Sequence, residues 1–262
     1  MDKKLWFYFI LAYLLSWLVF IPLALQGQGL ISGLPAWLHM LGAFGPLLAA
    51  FIVTLAAHGW AGLRGLLRRM VLWRIGLIWW LAALSPLLVY LVVVSVIGIF
   101  SGDWSGLSRF GQVSEIPGLP WWAGWLVWIL TYALGEETGW RGFALPRLQK
   151  SYSARRATLI LGGFWAAWHI PTFFYNYEMT VVGLILFTVG ILSGAVLLTW
   201  LYNSTGGSLL AVIIWHGTYN AAVASGGALV SALVSMAVIL AAIVIGNRYG
   251  PETLSHREKQ VH

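Results

Sequence analysis

The sequence predicts an all-α membrane protein of about eight transmembrane helices, with both termini in the cytoplasm. Composition points there first: 9% of the 262 residues are charged and 60% are hydrophobic, whereas a soluble domain carries about 25% charged residues. Mean hydropathy is +0.83, and with 17 Trp there is too little polar material to cover a globular surface. The third observation is that the basic residues segregate to alternate connections between the apolar runs. Eight helices of about 20 residues use most of the chain, which leaves no room for an extramembrane catalytic or binding domain. Residues 1–262 therefore read as a single transmembrane domain.

The predicted spans are 5–25, 36–57, 76–100, 121–146, 156–175, 181–202, 207–225 and 228–247, each long enough to cross roughly 30 Å of hydrocarbon. The first follows Lys3 and Lys4, but its apolar stretch is about 20 residues and Ala24-Leu25-Gln26 is a poor cleavage site, so it reads as a retained helix rather than a signal peptide. Gly190 and Gly194 in the sixth span give a small-residue face for close helix approach. Threaded alternately, the connections put Lys3, Lys4, the Arg64–Arg74 group, Arg147, Lys150, Arg155, Arg156, Arg248, Arg257 and Lys259 on one side. Arg109 alone falls on the other. The positive-inside rule makes the first side cytoplasmic, and one span more or fewer would scatter the basic residues over both sides.

The net charge of +7 therefore anchors topology beside anionic headgroups, and no nucleic-acid partner is expected. The loop 62–74 reads as such an anchor, with a surface-lying amphipathic helix as the alternative. Asn203-Ser204-Thr205 matches a glycosylation acceptor, but on the cytoplasmic side. The absence of cysteine excludes disulfides, thiolate metal sites and lipidation on sulfur.

Ionisable groups at membrane depth cost about 2.5–3.5 kcal/mol each on insertion scales and mark function by default. The fourth span carries Gly135-Glu136-Glu137-Thr138-Gly139-Trp140-Arg141, the fifth ends in Trp165-Ala166-Ala167-Trp168-His169, and the seventh carries Trp215-His216-Gly217-Thr218-Tyr219-Asn220. Counted from the cytoplasmic helix ends at about 1.5 Å per residue, Glu136, His169 and His216 lie roughly 16, 20 and 14 Å deep. One cavity open to the cytoplasm would satisfy all three. Glu137 and Arg141 stand four apart in the order that favours an ion pair, while Glu136 points about 100° away and is left for water. His216 and Asn220 share a helix face and offer two donors to a developing oxyanion. His39, His58, His256 and His262 read as ordinary packed or tail residues.

Glu136, His169 and His216 also make a three-ligand zinc set with an open water position. The HExxH helix is missing, however, and Asn220 is a better oxyanion donor than zinc ligand, so no cofactor is expected and zinc is the alternative. Ser225 lies nine residues beyond His216 on one helix, and the only aspartates, Asp2 and Asp103, fall outside the spans, which excludes serine and aspartyl intramembrane proteolysis. A proton-linked transporter should show repeated halves with broken helices, and none is visible.

Glu136-Glu137-x-x-x-Arg141, His169 closing an aromatic-x-x-x-His segment, and His216-x-x-x-Asn220 together resemble the CAAX prenyl endopeptidase and bacteriocin-processing (CPBP, or Abi) family of intramembrane proteases. The likeness covers about residues 121–225, and Glu136 to Gln149 is especially close to bacterial members. It implies an eight-helix fold in a prokaryotic plasma membrane, with the site in a cavity near the cytoplasmic face. It also implies endopeptidase cleavage of a peptide or protein bearing a lipidated or transmembrane segment. By motif, Glu136 and His169 activate water, His216 and Asn220 stabilise the oxyanion, and Glu137 and Arg141 support the site. Where the family pattern carries Phe four residues before the histidine, this chain has Trp165. A non-proteolytic immunity or regulatory scaffold that binds a partner's transmembrane segment is the alternative. Such a scaffold would be expected to have lost a motif residue, and this sequence keeps all of them.

Overall fold

Long apolar runs in hydrocarbon must satisfy their backbone hydrogen bonds internally. Accordingly, helix is the only regular structure in the computed structural model, which describes residues 2–176 and 180–262. The elements are α1 Lys3–Gly27, α2 Leu38–Gly42, α3 Gly45–Met70, α4 Leu77–Ala83, α5 Ser85–Ser101, α6 Ser105–Arg109, α7 Trp121–Trp128, α8 Leu134–Gly139 and α9 Leu145–Ser151, followed by α10 Ala154–Trp168, α11 Val181–Ser204, α12 Leu209–Ser225, α13 Gly227–Arg248 and α14 Gly250–Thr253. A 3-10 turn, Ile170–Phe174, follows α10.

The all-α membrane class is thus observed. Helix lies at each of the eight predicted positions, although five stretches are individually long and apolar enough to cross a membrane, or six if α4 and α5, bent by 56°, form one span. The fourth predicted span is broken by two π-helical turns, Ile129–Ala133 and Trp140–Ala144. The seventh, α12, is 17 residues long. Outward faces are strongly apolar: Leu18 is 72% exposed and Phe100 87%, which suits lipid and not water. At Gly59 (φ 58°, ψ −161°) α3 breaks, and the segment beyond it buries Leu63 and Leu66 while exposing Arg64 and Arg68, an amphipathic pattern.

α8 sits at the centre, packed against α3 and α12. Gly135 and Gly139 make this approach close enough: a Cβ on Gly135 would stand 2.4 Å from the Ala43 carbonyl oxygen, and one on Gly139 2.4 Å from Tyr8 Oη and 2.5 Å from the Pro46 oxygen. α1 secures the C-terminal turn of α10, with Tyr13 Oη donating to the Phe164 carbonyl (2.5 Å) and Trp17 Nε1 to that of Trp168 (3.0 Å). Phe9 and Phe164 stack at 3.9 Å across the same contact. Gly190 and Gly194 border a cavity, and a Cβ on Gly194 would stand 4.0 Å from the Trp165 side chain of α10.

The end of the assembly that gathers the basic residues is closed. Gln149 and Asn203 exchange amide hydrogen bonds (3.1 and 2.8 Å), and the C-terminal tail adds Gln260, whose carbonyl accepts from Gln149 at 2.8 Å. The acceptor-like Asn203 is therefore fully buried.

Because α8 meets backbone at Gly139, Gly139→Ala forces overpacking that costs about 1–3 kcal/mol. A lower unfolding midpoint in detergent, with the site residues unchanged, is the expected result.

Candidate active site

Two π turns bracket the six-residue α8, and such insertions recur at functional sites because they re-aim the side chains around them. Glu136 and Glu137, adjacent in sequence, leave α8 in different directions. Glu137 is wholly buried, and its Oε1 accepts from Arg141 Nη1 at 2.8 Å and from His216 Nδ1 at 2.8 Å. The ion pair with Arg141 agrees with the i,i+4 expectation; the bond to His216 extends it to another helix. Arg141 is also fully buried, with its Cζ 4.6 Å above the ring of Trp165. Among the described residues, Glu137 Oε2 and Arg141 Nε and Nη2 have no hydrogen-bond partner.

Glu136 turns toward α10, where Trp165 Nε1 donates to its Oε2 at 2.6 Å. His169 caps the C-terminus of α10, where its backbone N–H reaches the Ala166 carbonyl and its Nδ1 bonds the Trp165 carbonyl oxygen at 2.8 Å. A carbonyl only accepts, so Nδ1 carries the proton and a neutral His169 keeps its lone pair on Nε2. The same logic puts a proton on His216 Nδ1, opposite the Glu137 carboxylate. Nε2 of His216 then accepts when the ring is neutral and donates when it is an imidazolium. Asn220 is half-buried one turn further along α12, with no hydrogen bond among the described residues.

Glu136, His169, His216 and Asn220 border one cavity of about 1150 Å³, walled by Trp165, Trp168, Trp215, Phe187 and other apolar side chains. That size exceeds the few hundred Å³ of a small-molecule pocket and suits a peptide segment. Glu137 and Arg141 do not line it and stand behind it. Of the six predicted site residues, four reach the cavity and two support one of the four.

The sequence places the cavity near the cytoplasmic face; the structure shows which elements line it. Its walls come from the C-terminal ends of α10 and α12, the N-terminal halves of α11 and α13, and the loop 112–119, all remote from the sealed end at Gln149 and Asn203. The loop 112–119 is held by Trp128 Nε1 donating to the Gln112 carbonyl (3.1 Å) and Tyr132 Oη donating to Glu115 (3.0 Å).

Sequence reasoning gave Trp165 no role in the site, although its departure from Phe in the resembling motif is a visible signal. It also left His39 as a core residue, whereas His39 and Glu115 form part of the cavity wall. The alternative zinc set is not assembled: among the described residues no three His, Cys, Asp or Glu side chains are placed to hold a metal ion. His169 and His216 each bond a protein acceptor through Nδ1, and Glu136 is bonded by the Trp165 indole.

Removing one partner of a buried ion pair costs about 3–5 kcal/mol because the other charge is left uncompensated. Arg141→Met is expected to lose that much in reversible unfolding in detergent. The double variant Arg141→Met/Glu137→Gln should recover part of it, a non-additivity that a double-mutant cycle measures.

Residues 118–222 match the family described as type II CAAX prenyl endopeptidase Rce1-like. The curated protein "CAAX prenyl protease 2" of Methanococcus maripaludis is 34% identical over 99 residues, which are 35% of this chain and 36% of that protein. The chain thus spans about a third of the relative's length, and the family match at 118–222 covers Glu136, His169, His216 and Asn220. On that segment the chain is similar to the type II CAAX prenyl endopeptidase, Rce1-like, family.

Proposed function

We propose that this protein is an intramembrane endopeptidase that hydrolyses a peptide bond in a membrane-associated or prenylated substrate. The observation that carries the reading is the meeting of a fixed carboxylate, an imidazole lone pair and two potential donors on one apolar-walled cavity. Water held between Glu136 and His169 Nε2 attacks the carbonyl carbon, and Glu136 takes its proton. His216 Nε2–H and the Asn220 amide stabilise the oxyanion. In this step His216 is an imidazolium whose charge is balanced by Glu137. Collapse of the tetrahedral centre breaks the C–N bond, and the proton held by Glu136 passes to the leaving amine. No cofactor takes part.

The substrate is a peptide or protein with a lipidated or transmembrane segment, and the name of the methanogen relative supports a prenylated C-terminus as one form of it. With eight spans and both termini in the cytoplasm of a prokaryotic plasma membrane, the loop 112–119 lies on the side away from the basic, cytoplasmic end.

Purified protein in detergent should cleave a prenylated or membrane-embedded peptide, and Glu136→Ala or His216→Ala should lower turnover by about 100-fold or more. Turnover should survive exhaustive chelation. Equal turnover in wild type and both variants would sink the assignment, and no turnover by wild type would leave the scaffold alternative standing. Orientation has its own test, since the chain has no cysteine: Ser114→Cys should react with an impermeant maleimide on intact cells, and Lys150→Cys only after permeabilisation.

A further inference from the structure

The indole of Trp165 touches three parts of the site at once. Its Nε1 donates to Glu136 Oε2 at 2.6 Å, its face lies 4.6 Å beneath the Arg141 guanidinium, and the His216 ring meets it edge-on at 5.4 Å and 79°. The residue is 5% exposed, so this hydrogen bond competes little with water. Its backbone carbonyl, meanwhile, receives His169 Nδ1. Glu136 and His169, which would share the attacking water, are therefore both oriented by a single residue.

We infer that Trp165 is a positioning residue for the Glu136 carboxylate: its indole N–H fixes Oε2, so that the other carboxylate oxygen is presented to the attacking water. The inference rests on the hydrolytic reading above. A carboxylate on a side chain with three rotatable bonds otherwise samples several orientations, and proton transfer falls steeply once the base leaves hydrogen-bond reach. The cation above the ring strengthens the donor, because Arg141 draws electron density from the indole face and leaves the N–H more positive. Glu137 contributes indirectly by holding Arg141 in place. The ion pair is thereby linked to Glu136 through an aromatic ring, which explains why a pair that does not line the cavity belongs to the site.

Trp165→Phe tests this directly, since it keeps the aromatic wall and the backbone carbonyl and removes the N–H. The expected result is a fall in kcat of about tenfold or more, the rate equivalent of a lost hydrogen bond to a charged group, with KM unchanged within twofold. Trp200→Phe, the same change at an indole with no hydrogen-bond partner among the described residues, should leave kcat intact. An unchanged kcat in Trp165→Phe, or a loss matched by KM, overturns the inference. A second readout does not depend on turnover. In ¹⁵N-Trp-labelled protein, the indole resonance lost in Trp165→Phe should shift upfield in Glu136→Ala, and a resonance indifferent to Glu136→Ala also overturns the inference. If wild type cleaves none of the peptides while that resonance does respond, the hydrolytic reading fails and the Trp165–Glu136 contact stands.

Discussion

The site depends on the carboxylate of Glu137, which is shut off from solvent and shared by two donors on different elements. An isolated carboxylate in a low-dielectric interior is too costly to persist, so its two donors are obligatory. Arg141 supplies the neutralising charge from the next turn of its own helix, and His216 supplies the tie to α12. Each partner then constrains a further group: Arg141 lies on Trp165, which holds Glu136, while His216 is fixed with Nε2 free. Four elements are brought to one register by one buried charge.

That register requires unusual backbone. A regular α-helix through residues 121–151 would carry its side chains past α12 with fixed periodicity, whereas the two π turns reset the phase on either side of α8. Close contact with α3 at Gly135 and Gly139 then places α8 at the centre of the assembly. The two ends of the assembly differ for a related reason. At the basic end the polar side chains Gln149 and Asn203 and the C-terminal tail satisfy one another, closing it. At the other end α10 stops at His169, and α11 is not buried until Gly194, so a cavity remains between their neighbours.

Much of this was legible in the sequence because it follows from local periodicity and from scarcity. Apolar runs identified the helices, and the few ionisable residues within them identified Glu136, Glu137, Arg141, His169 and His216, since any charge at that depth needs a reason. The Glu137–Arg141 pair was readable from spacing alone. The partner of Glu136 was not, because Trp165 lies 29 positions away, and in a chain with 17 Trp one indole does not stand out. The walls of the cavity were hidden for a different reason: composition locates charges along the chain but does not say which helix ends line a cavity. The π turns were equally invisible, since Ile129–Ala133 contains neither Gly nor Pro, and Gly142 in Trp140–Ala144 is one of 30 glycines in the chain.

The arrangement also assigns different work to two adjacent glutamates. Glu137 has one oxygen saturated by a guanidinium and an imidazole and no surface on the cavity, so it cannot take a proton from water there. It can only fix His216 and balance its charge. Glu136 borders the cavity and meets a single neutral donor, so it retains both an accessible acceptor and the capacity to gain a proton. Two neighbouring positions on a helix point about 100° apart, and here that angle separates a carboxylate held by two donors away from the cavity from one that borders it.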